Sequence, residues 1–343
     1  MCNVVPNFVS FTGTRADLDE LTWIWESLRS VEELELARPV ITTYADLVTD
    51  RYFSESAPAH ARLEHHWGLD AAVADRLQSE LLLRGLPILV EPVHMVGLCG
   101  APGHTPGTQR PKVSLRSPFP AVATSAPAHT VNGTRVAVVD SGDLHGRSHM
   151  VDFLNGLAAT RKADDVVGHG TAVAAVIRQI NSNADVTALR VVNSNKGTSY
   201  ELLCAMTYAL WSGLFDAVNV SLSTQTTGGC MTVLGGSLTM VLDICKQNGV
   251  QIPPIIAAAG NTNTGQSFGY PARLPGATAV LAWDFNGTPT QYNVAVPKRH
   301  ATVYATGGDA ASTFGTITSS SGTVEPIYGT SFAAAVTTAL IIP

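Results

Sequence analysis

Between residues 134 and 340 the chain alternates short apolar segments with helical segments, and this alternation constrains the fold more than any other feature. Strands are predicted at 134–140, 185–192, 215–222, 254–260 and 277–283, and helices near 169–180, 199–212, 237–248 and 331–340. Strands that alternate with crossover helices pair in parallel, and strands as apolar as these are typical of a sheet covered on both faces. The sequence therefore predicts an α/β fold in three layers, with a mostly parallel sheet between helices.

A smaller α/β domain is predicted before this region. Residues 4–11 favour a strand, and Thr14 with Asp17 has the spacing of a capping box that opens a helix. A second helix is predicted at about 70–84, because leucine and valine recur at four-residue steps and Gly85 follows its end. A strand at about 87–98 completes the region.

A histidine-rich segment lies between the two predicted helices of this region. It contains His60, Glu64, His65 and His66, but it has no HExxH motif and its spacing does not place good ligand pairs on one helical face. We therefore expect a solvated helix end here and no metal site.

Residues 100–130 mark the clearest boundary in the chain. The stretch contains six prolines and little periodicity, and proline disfavours both helix interiors and central strands. We expect an extended, exposed linker. The sequence thus predicts an N-terminal region at 1–99, a linker at 100–130 and a larger domain at 131–343.

Composition and charge exclude several classes of protein. Only 14% of the 343 residues are charged and the net charge is −6, so the chain can bury a large core and has no basic run that would favour nucleic acid. The longest apolar stretch, 81–99, carries charged residues, so we expect no membrane span. The N-terminus lacks the basic segment of a signal peptide, and scattered thiols fit a reducing compartment, so we expect a cytoplasmic protein without disulfides. The five cysteines show no CxxC spacing: Cys2, Cys99, Cys204, Cys230 and Cys245.

Three short motifs lie where α/β sheets place reactive groups, at strand ends or helix starts. In the first, Asp140 ends an apolar strand and a glycine follows two residues later. In the second, glycines flank His169 at the start of a helix, where they allow a substrate backbone to approach closely. In the third, a turn delivers Ser331 to the first turn of an alanine-rich helix, whose free N–H groups can support a developing oxyanion. Each motif alone also fits a turn former or a helix cap.

Together the three motifs resemble those of the subtilisin-like serine proteases, whose triad runs in the order Asp, His, Ser. The resemblance covers about 134–340. It includes segments that look like the family's substrate-binding strand at 219–222, its oxyanion-hole segment at 258–261 and the segment closing its first specificity pocket at 269–272. The resemblance implies the catalytic residues Asp140, His169, Ser331 and Asn261. It also implies a set of substrate-binding residues, namely Gly197, Ser221, Leu222, Ser223, Ala258, Ala259, Gly260 and Gly269.

The resemblance also implies what each catalytic residue does. His169 would act as general base towards Ser331, Asp140 would hold the imidazole in the right tautomer, and Asn261 would donate a hydrogen bond to the oxyanion. The expected activity is a serine endopeptidase acting on polypeptides. No cofactor is expected; calcium sites are common in the family, but no acidic loop of this sequence identifies one. The segments assigned to the first pocket carry no acid, so we expect an uncharged P1 residue.

The role of residues 1–99 stays open between three interpretations. The region carries 15 acidic residues and seven arginines, a net charge of −8, whereas the rest of the chain carries +2. This difference favours docking of one part on the other, as expected of an inhibitory pro-domain cut within residues 100–130. A sensor domain and a permanent extension of the catalytic core are the alternatives.

Two rival functions also remain. One is a non-catalytic binding protein on a protease fold, which the intact triad disfavours. The other is a dedicated processing protease with one cellular partner, for instance in peptide maturation or defence.

Overall fold

The computed structural model describes residues 4–31, 39–41, 54–64, 71–98, 110–128, 130–145, 149–154, 158–160, 164–193, 197–223, 233–261, 269–297, 299–319 and 321–343. The helices are α1 Arg15–Val31, α2 Ala71–Leu83, α3 His169–Ile180, α4 Ser199–Trp211, α5 Val233–Gln247 and α6 Thr330–Ile341. The strands are β1 Val4–Thr14, β2 Val40–Ile41, β3 Pro58–Glu64, β4 Leu89–Leu98, β5 Lys112–Leu115, β6 Arg135–Asp140, β7 His149–Asp152, β8 Ala158–Thr160, β9 Asp185–Arg190, β10 Gly197–Thr198, β11 Ala217–Val220, β12 Leu222–Ser223, β13 Ile255–Ala258, β14 Ala277–Trp283, β15 Thr302–Thr306, β16 Gly315–Thr318 and β17 Val324–Pro326.

A central sheet organises the C-terminal unit, by which we mean residues 110–343. Its strand order is β15-β14-β13-β11-β6-β9-β7-β8, and every pair is parallel except β7 with the edge strand β8. The predicted mostly parallel sheet is confirmed. The central strands β6, β11 and β13 are buried on both faces, which explains why their sequences are nearly continuous apolar runs.

Alternate residues of the sheet strands face two separate cores, and these cores define the three layers. Val136 and Val138 of β6 pack with α3 and α6, whereas Ala137 and Val139 pack with α4 and α5. This period of two follows from the pleat of the strand. The sheet therefore lies between helices, as the sequence predicted, and among the described elements α3 and α6 cover one face while α4 and α5 cover the other.

The N-terminal unit, residues 4–98, has its own sheet and its own core. The strands β4, β1, β3 and β2 are neighbours in that order, and the described pairs are antiparallel. One face of this sheet packs on α1 and α2 around Phe11 and Trp25. The opposite face, which carries Ser10 and Thr12, packs on α4 and α5 of the C-terminal unit.

Local signals placed the helices of the N-terminal unit correctly. The backbone N–H of Thr14 donates to Asp17 Oδ2 at 3.0 Å and the N–H of Asp17 donates to Thr14 Oγ1 at 3.2 Å, so the capping box forms. Gly85 follows α2 with a φ of 76°, the left-handed conformation that glycine adopts most easily.

The histidine-rich segment was predicted wrongly. His60 and Glu64 belong to strand β3, and His60 is fully buried, so the expected solvated helix end does not form at these positions. His65 and His66 lie outside the described residues. Tertiary burial against α4 decides the conformation here, and no periodicity of the segment signals it.

The described part of the predicted linker, residues 110–128 and 130, packs in part against the C-terminal unit and is not simply exposed. Strand β5 pairs antiparallel with β16 as the edge of a three-stranded sheet, and Phe119 packs edge-on against Phe314. Residues 110–128 therefore run along the C-terminal unit. The residues between 98 and 110 lie outside the described part of the chain.

One predicted strand divides into two. The segment 215–222 was expected as a single strand, but β11 ends at Val220 and β12, Leu222–Ser223, leaves the central sheet to pair with β4.

Within the described residues, no helix is long and apolar enough to span a bilayer.

Candidate active site

Three polar side chains come together at the carboxyl edge of the central sheet. Asp140 is the last residue of β6, His169 is the first residue of α3, and Ser331 is the second residue of α6. Their exposed fractions are 0%, 2% and 0%, respectively. Because α3 and α6 pack on each other over the same face of the sheet, both helix starts are delivered beside the end of β6.

Asp140 and His169 form a buried hydrogen-bonded pair. The imidazole Nδ1 lies 2.8 Å from Asp140 Oδ1 and 3.0 Å from Oδ2. An ionised carboxylate only accepts hydrogen bonds, so this contact assigns the proton to Nδ1. His169 Nε2 is buried and has no hydrogen-bond partner among the described residues, so its lone pair is uncommitted.

The surroundings of His169 favour a basic imidazole. Burial by itself lowers the pKa of His169, but the charge and the hydrogen bond of Asp140 raise it, with smaller contributions from Asp165 and Glu325, and the net pKa lies above the ordinary 6.5. An imidazolium at this position would thus be stabilised by a carboxylate already in place.

Ser331 lies in a well-defined hydrogen-bonding environment. Its hydroxyl donates to the backbone oxygen of Ser221 at 3.0 Å, and the Ser221 hydroxyl donates in turn to Asn219 Oδ1 at 2.9 Å. The neighbouring Phe332 ring lies 5.5 Å, centroid to centroid, from the imidazole of His169. The nucleophile candidate, the base candidate and the edge segment at Ser221 are therefore held in one buried cluster.

Asn261 directs an amide donor towards the same cluster. Its Oδ1 accepts the backbone N–H of Thr330 at 2.9 Å, which fixes the amide orientation, and its Nδ2 is buried with no partner among the described residues. The helix cap Gly329 has a φ of 131°, and a Cβ there would lie 2.9 Å from Nδ2. Buried donors are nearly always satisfied, so an unsatisfied one beside the N-terminus of α6 indicates a place for an anionic atom.

The segments assigned to substrate binding border this cluster. β10 and β12 are short edge strands, and Gly197 in β10 has no room for a side chain because a Cβ would lie 2.2 Å from the carbonyl oxygen of Val191. Both strands pair with β4 of the N-terminal unit: Gly197 with Val96, Ser223 with Gly97 and Leu222 with Leu98. The cleft between the two edge strands is thus filled by the chain's own backbone in antiparallel register.

The residues assigned to the first specificity pocket are buried around the end of β13. Ala258 ends the strand, Ala259 donates its N–H to Val280, and Gly260 turns with a φ of 119° while its N–H donates to Thr330 Oγ1 at 3.1 Å. Gly269 is buried, and the cis bond between Tyr270 and Pro271 follows it. No Asp or Glu occurs in these segments. Residues 262–268 lie outside the description.

Sequence reasoning missed several polar residues that the structure places around the cluster. Asp165 is fully buried and accepts hydrogen bonds from the first turn of α3, and Ser141 Oγ accepts the N–H of Gly170 at 2.9 Å. The only sequence signal was an acidic residue shortly before the start of a helix. The described residues contain no group of three or more His, Cys, Asp or Glu side chains that could hold a metal ion.

Comparison with known proteins agrees with this geometry. A profile of the subtilase family of peptidases matches residues 132–341. A thermostable alkaline protease from Halalkalibacterium halodurans is 29% identical over 178 residues, which are 49% of this chain and 46% of that protein. Subtilisin Savinase from Lederbergia lenta is 28% identical over 179 residues, which are 48% of this chain and 61% of that protein. The chain thus spans about half the length of the curated relatives it matches.

Among solved structures, the epidermin leader peptide processing serine protease from Staphylococcus aureus has a similar fold. It superposes with a TM-score of 0.58 over 97% of this chain and 86% of that chain, at 13% identity. At this identity the likeness concerns the fold alone, and its coverage includes the N-terminal unit.

Proposed function

The chain belongs to the subtilase family, and from that premise we propose that it is a serine endopeptidase with Asp140, His169 and Ser331 as its catalytic triad. The observation that carries the proposal is the buried Asp140–His169 pair, whose Nδ1 is bound to the carboxylate while Nε2 is left uncommitted in the cluster that contains Ser331. A merely structural histidine would have its second nitrogen satisfied.

The proposed reaction uses groups that are already positioned. The Ser331 hydroxyl leaves the Ser221 carbonyl and transfers its proton to His169 Nε2 as its oxygen attacks the scissile carbonyl carbon. The resulting oxyanion accepts hydrogen bonds from Asn261 Nδ2 and from the backbone N–H of Ser331. His169 then gives the proton to the departing amine, and water repeats the cycle on the acyl-enzyme.

We further propose that the N-terminal unit holds the protease in a latent form. The support is the position of β4, which lies between β10 and β12 as an extended substrate would. Main-chain pairing on both sides gives such a segment affinity irrespective of its sequence. Val96 is 2% exposed and belongs to the core that contains Tyr200 and Leu203 of α4, so a side chain of β4 also contributes apolar contact.

The register of β4 supports a particular cleavage site. In antiparallel pairing each step along β4 is a step backwards along β12, and the described pairs end with Leu98 opposite Leu222. If the same register continued by one residue, the next position would lie opposite Ser221, whose carbonyl contacts Ser331. We therefore propose that the bond cut is the one after Cys99. This site lies at the edge of the segment 100–130 in which a cut is expected from the sequence.

A polar network strengthens the contact between the two units. Thr207 of α4 bonds to His60 Nε2 at 2.7 Å, His60 Nδ1 bonds to Thr12 Oγ1 at 3.1 Å, and Thr12 donates to Ser237 of α5 at 3.0 Å. Ser237 in turn donates to Glu91 Oε2. Since the Thr12 hydroxyl donates to Ser237, it accepts from His60, which assigns the proton of a neutral imidazole to Nδ1.

The test follows the mass of the purified chain over time, for wild type and for Ser331→Ala. The proposal predicts that wild type alone is cut after Cys99, and that a fluorophosphonate labels wild type but not the variant. Labelling without any cut would support the assignment as a protease and reject the assignment of the N-terminal unit as a pro-domain. Absence of labelling by wild type, both intact and after removal of residues 1–99, would reject the protease and favour a binding protein.

A further inference from the structure

A second buried carboxylate lies close to the proposed triad and has no role in the reaction described so far. Asp165, four residues before His169, is 0% exposed. Its Oδ1 accepts the backbone N–H groups of Val167 at 3.0 Å and Gly168 at 2.8 Å. Its Oδ2 accepts the N–H of Thr171 at 2.9 Å and the hydroxyl of Thr171 at 2.7 Å. All four donors are neutral, and each of them donates to the carboxylate.

These contacts replace a helix cap that the sequence does not supply. The first N–H groups of a helix have no partner within it, and a side chain at the cap position usually accepts one of them. The cap of α3 is Gly168, which has no side chain and a φ of 84°. Asp165 accepts the N–H of Thr171 instead, and thereby fixes the turn in which His169 is the first residue.

The same carboxylate is linked to the segment that follows Asp140. The Thr171 hydroxyl donates to Asp165 and also accepts the N–H of Leu144 at 3.1 Å. One threonine therefore connects the loop after β6 to the first turn of α3. The two halves of the Asp140–His169 pair are held at a fixed separation through this connection.

We propose that Asp165, through Thr171, is a positioning residue for the proposed proteolytic reaction, and that it holds the first turn of α3 so that His169 stays aligned with Asp140. The inference rests on the proposed function, and Asp165 itself does not touch the substrate. Three carboxyl groups act on the imidazole electrostatically: Asp140 of β6, Asp165 of the preceding loop and Glu325 of β17. Burial raises the pKa of Asp165, whereas the hydrogen bonds donated by Thr171 and Gly168 oppose this rise and favour the carboxylate. As a carboxylate, Asp165 adds its charge to that of Asp140 in favouring the imidazolium, so the positioning role carries an electrostatic signature.

The primary test compares Asp165→Asn with wild type on a peptide substrate, both in their final processed state. A variant that processes slowly is brought to mature mass by tagged wild type added in trans and then removed. We expect kcat to fall about 10- to 100-fold with KM unchanged, because a misaligned base affects the transition state and not substrate binding. We also expect the acid limb of kcat/KM to move to lower pH, because a charge that favours the imidazolium has been removed.

The matched control is Asp164→Asn. This neighbouring carboxylate pairs with Arg190 and is 36% exposed, so its loss changes the net charge equally without removing any bond to α3. We expect kcat and the acid limb to stay at their wild-type values.

A second pair of variants keeps the proposal testable if Asp165→Asn does not fold. Thr171→Val removes the bridging hydroxyl but leaves the Asp165 charge, so kcat should fall while the acid limb stays in place, and Thr171→Ser should restore kcat. Wild-type kcat in Thr171→Val would overturn the proposal, as would a folded Asp165→Asn whose acid limb does not move. An inactive wild type that no fluorophosphonate labels would instead refute the proposed function, so the two failures are distinguishable.

Discussion

The buried network between the two units makes the stability of the uncut chain depend on pH in a predictable way. Glu91 is 4% exposed, and burial, offset in part by its bond with Ser237, raises the pKa of Glu91 from 4.5 to about 8. Its stabilising effect is therefore complete below pH 4.5 and is lost as the pH rises towards 8, because the ionised carboxylate is poorly tolerated at the interface. Burial lowers the pKa of His60 from 6.5 to about 3. Its effect has the opposite sign: it is complete above pH 6.5 and is lost as the pH falls towards 3.

The effects of Glu91 and His60 on stability can be separated in one pH window. Above pH 6.5 His60 is neutral in the folded chain and loses its remaining protonation in the unfolded chain within about one pH unit, so Glu91 contributes most of the slope between pH 6.5 and 8. Each pH unit corresponds to about 1.4 kcal/mol per proton, and the slope flattens near the folded pKa. We therefore expect ionisation of Glu91 to lower the unfolding free energy of the uncut chain by about 1.5 to 2 kcal/mol across this window.

The assay compares Ser331→Ala, which lacks the proposed nucleophile, with the double variant Ser331→Ala/Glu91→Gln. Glutamine keeps the acceptor for Ser237 but does not ionise. Urea unfolding at pH 6.5 and 8 gives the free energy of the first cooperative transition of each protein. We expect the parent to lose about 1.5 to 2 kcal/mol more than the double variant, since all other titrating groups are shared. Equal losses in both proteins would refute the reasoning.

Three further predictions concern the proposed active site and cleft. Asn261→Ala should lower kcat by about 10²- to 10³-fold with little change in KM, which is the range known for the equivalent asparagine of another family member. A change confined to KM would contradict an oxyanion role. Gly197→Ala should weaken the binding of extended segments, because the added Cβ meets the Val191 carbonyl oxygen at 2.2 Å. Steady-state kinetics should show a higher KM for peptides, and size-exclusion chromatography of the cut chain should show that the N-terminal unit dissociates more readily. A peptide-library profile should show uncharged P1 residues, since the segments expected to line the pocket carry no acid, and a profile dominated by Lys or Arg would refute that assignment.

The sequence by itself determined the core architecture and the candidate catalytic residues. The apolar strands and the helix at 169–180 were predictable because burial on both faces of a parallel sheet and local helix patterning are encoded within short segments. Asp140, His169 and Ser331 were recognisable only together, because their three motifs in this order resemble those of the subtilisin-like proteases, whereas each motif alone also fits a turn former or a helix cap. The capping box at Thr14 and the glycine after α2 are equally local signals.

The tertiary structure decided everything that depends on contacts between distant segments. No local pattern distinguishes a free strand end from β4, whose partners Gly197 and Ser223 are more than 100 residues away. His60 was misjudged for the same reason, because its burial depends on α4 and not on its neighbours in the chain. No sequence motif marks Asp165, which caps α3 only because the turn at Gly168 brings its carboxylate to the N–H of Thr171. Burial by distant segments changes the free-energy cost of a polar side chain and the hydrogen-bond partners within its reach, and short-range sequence patterns predict neither.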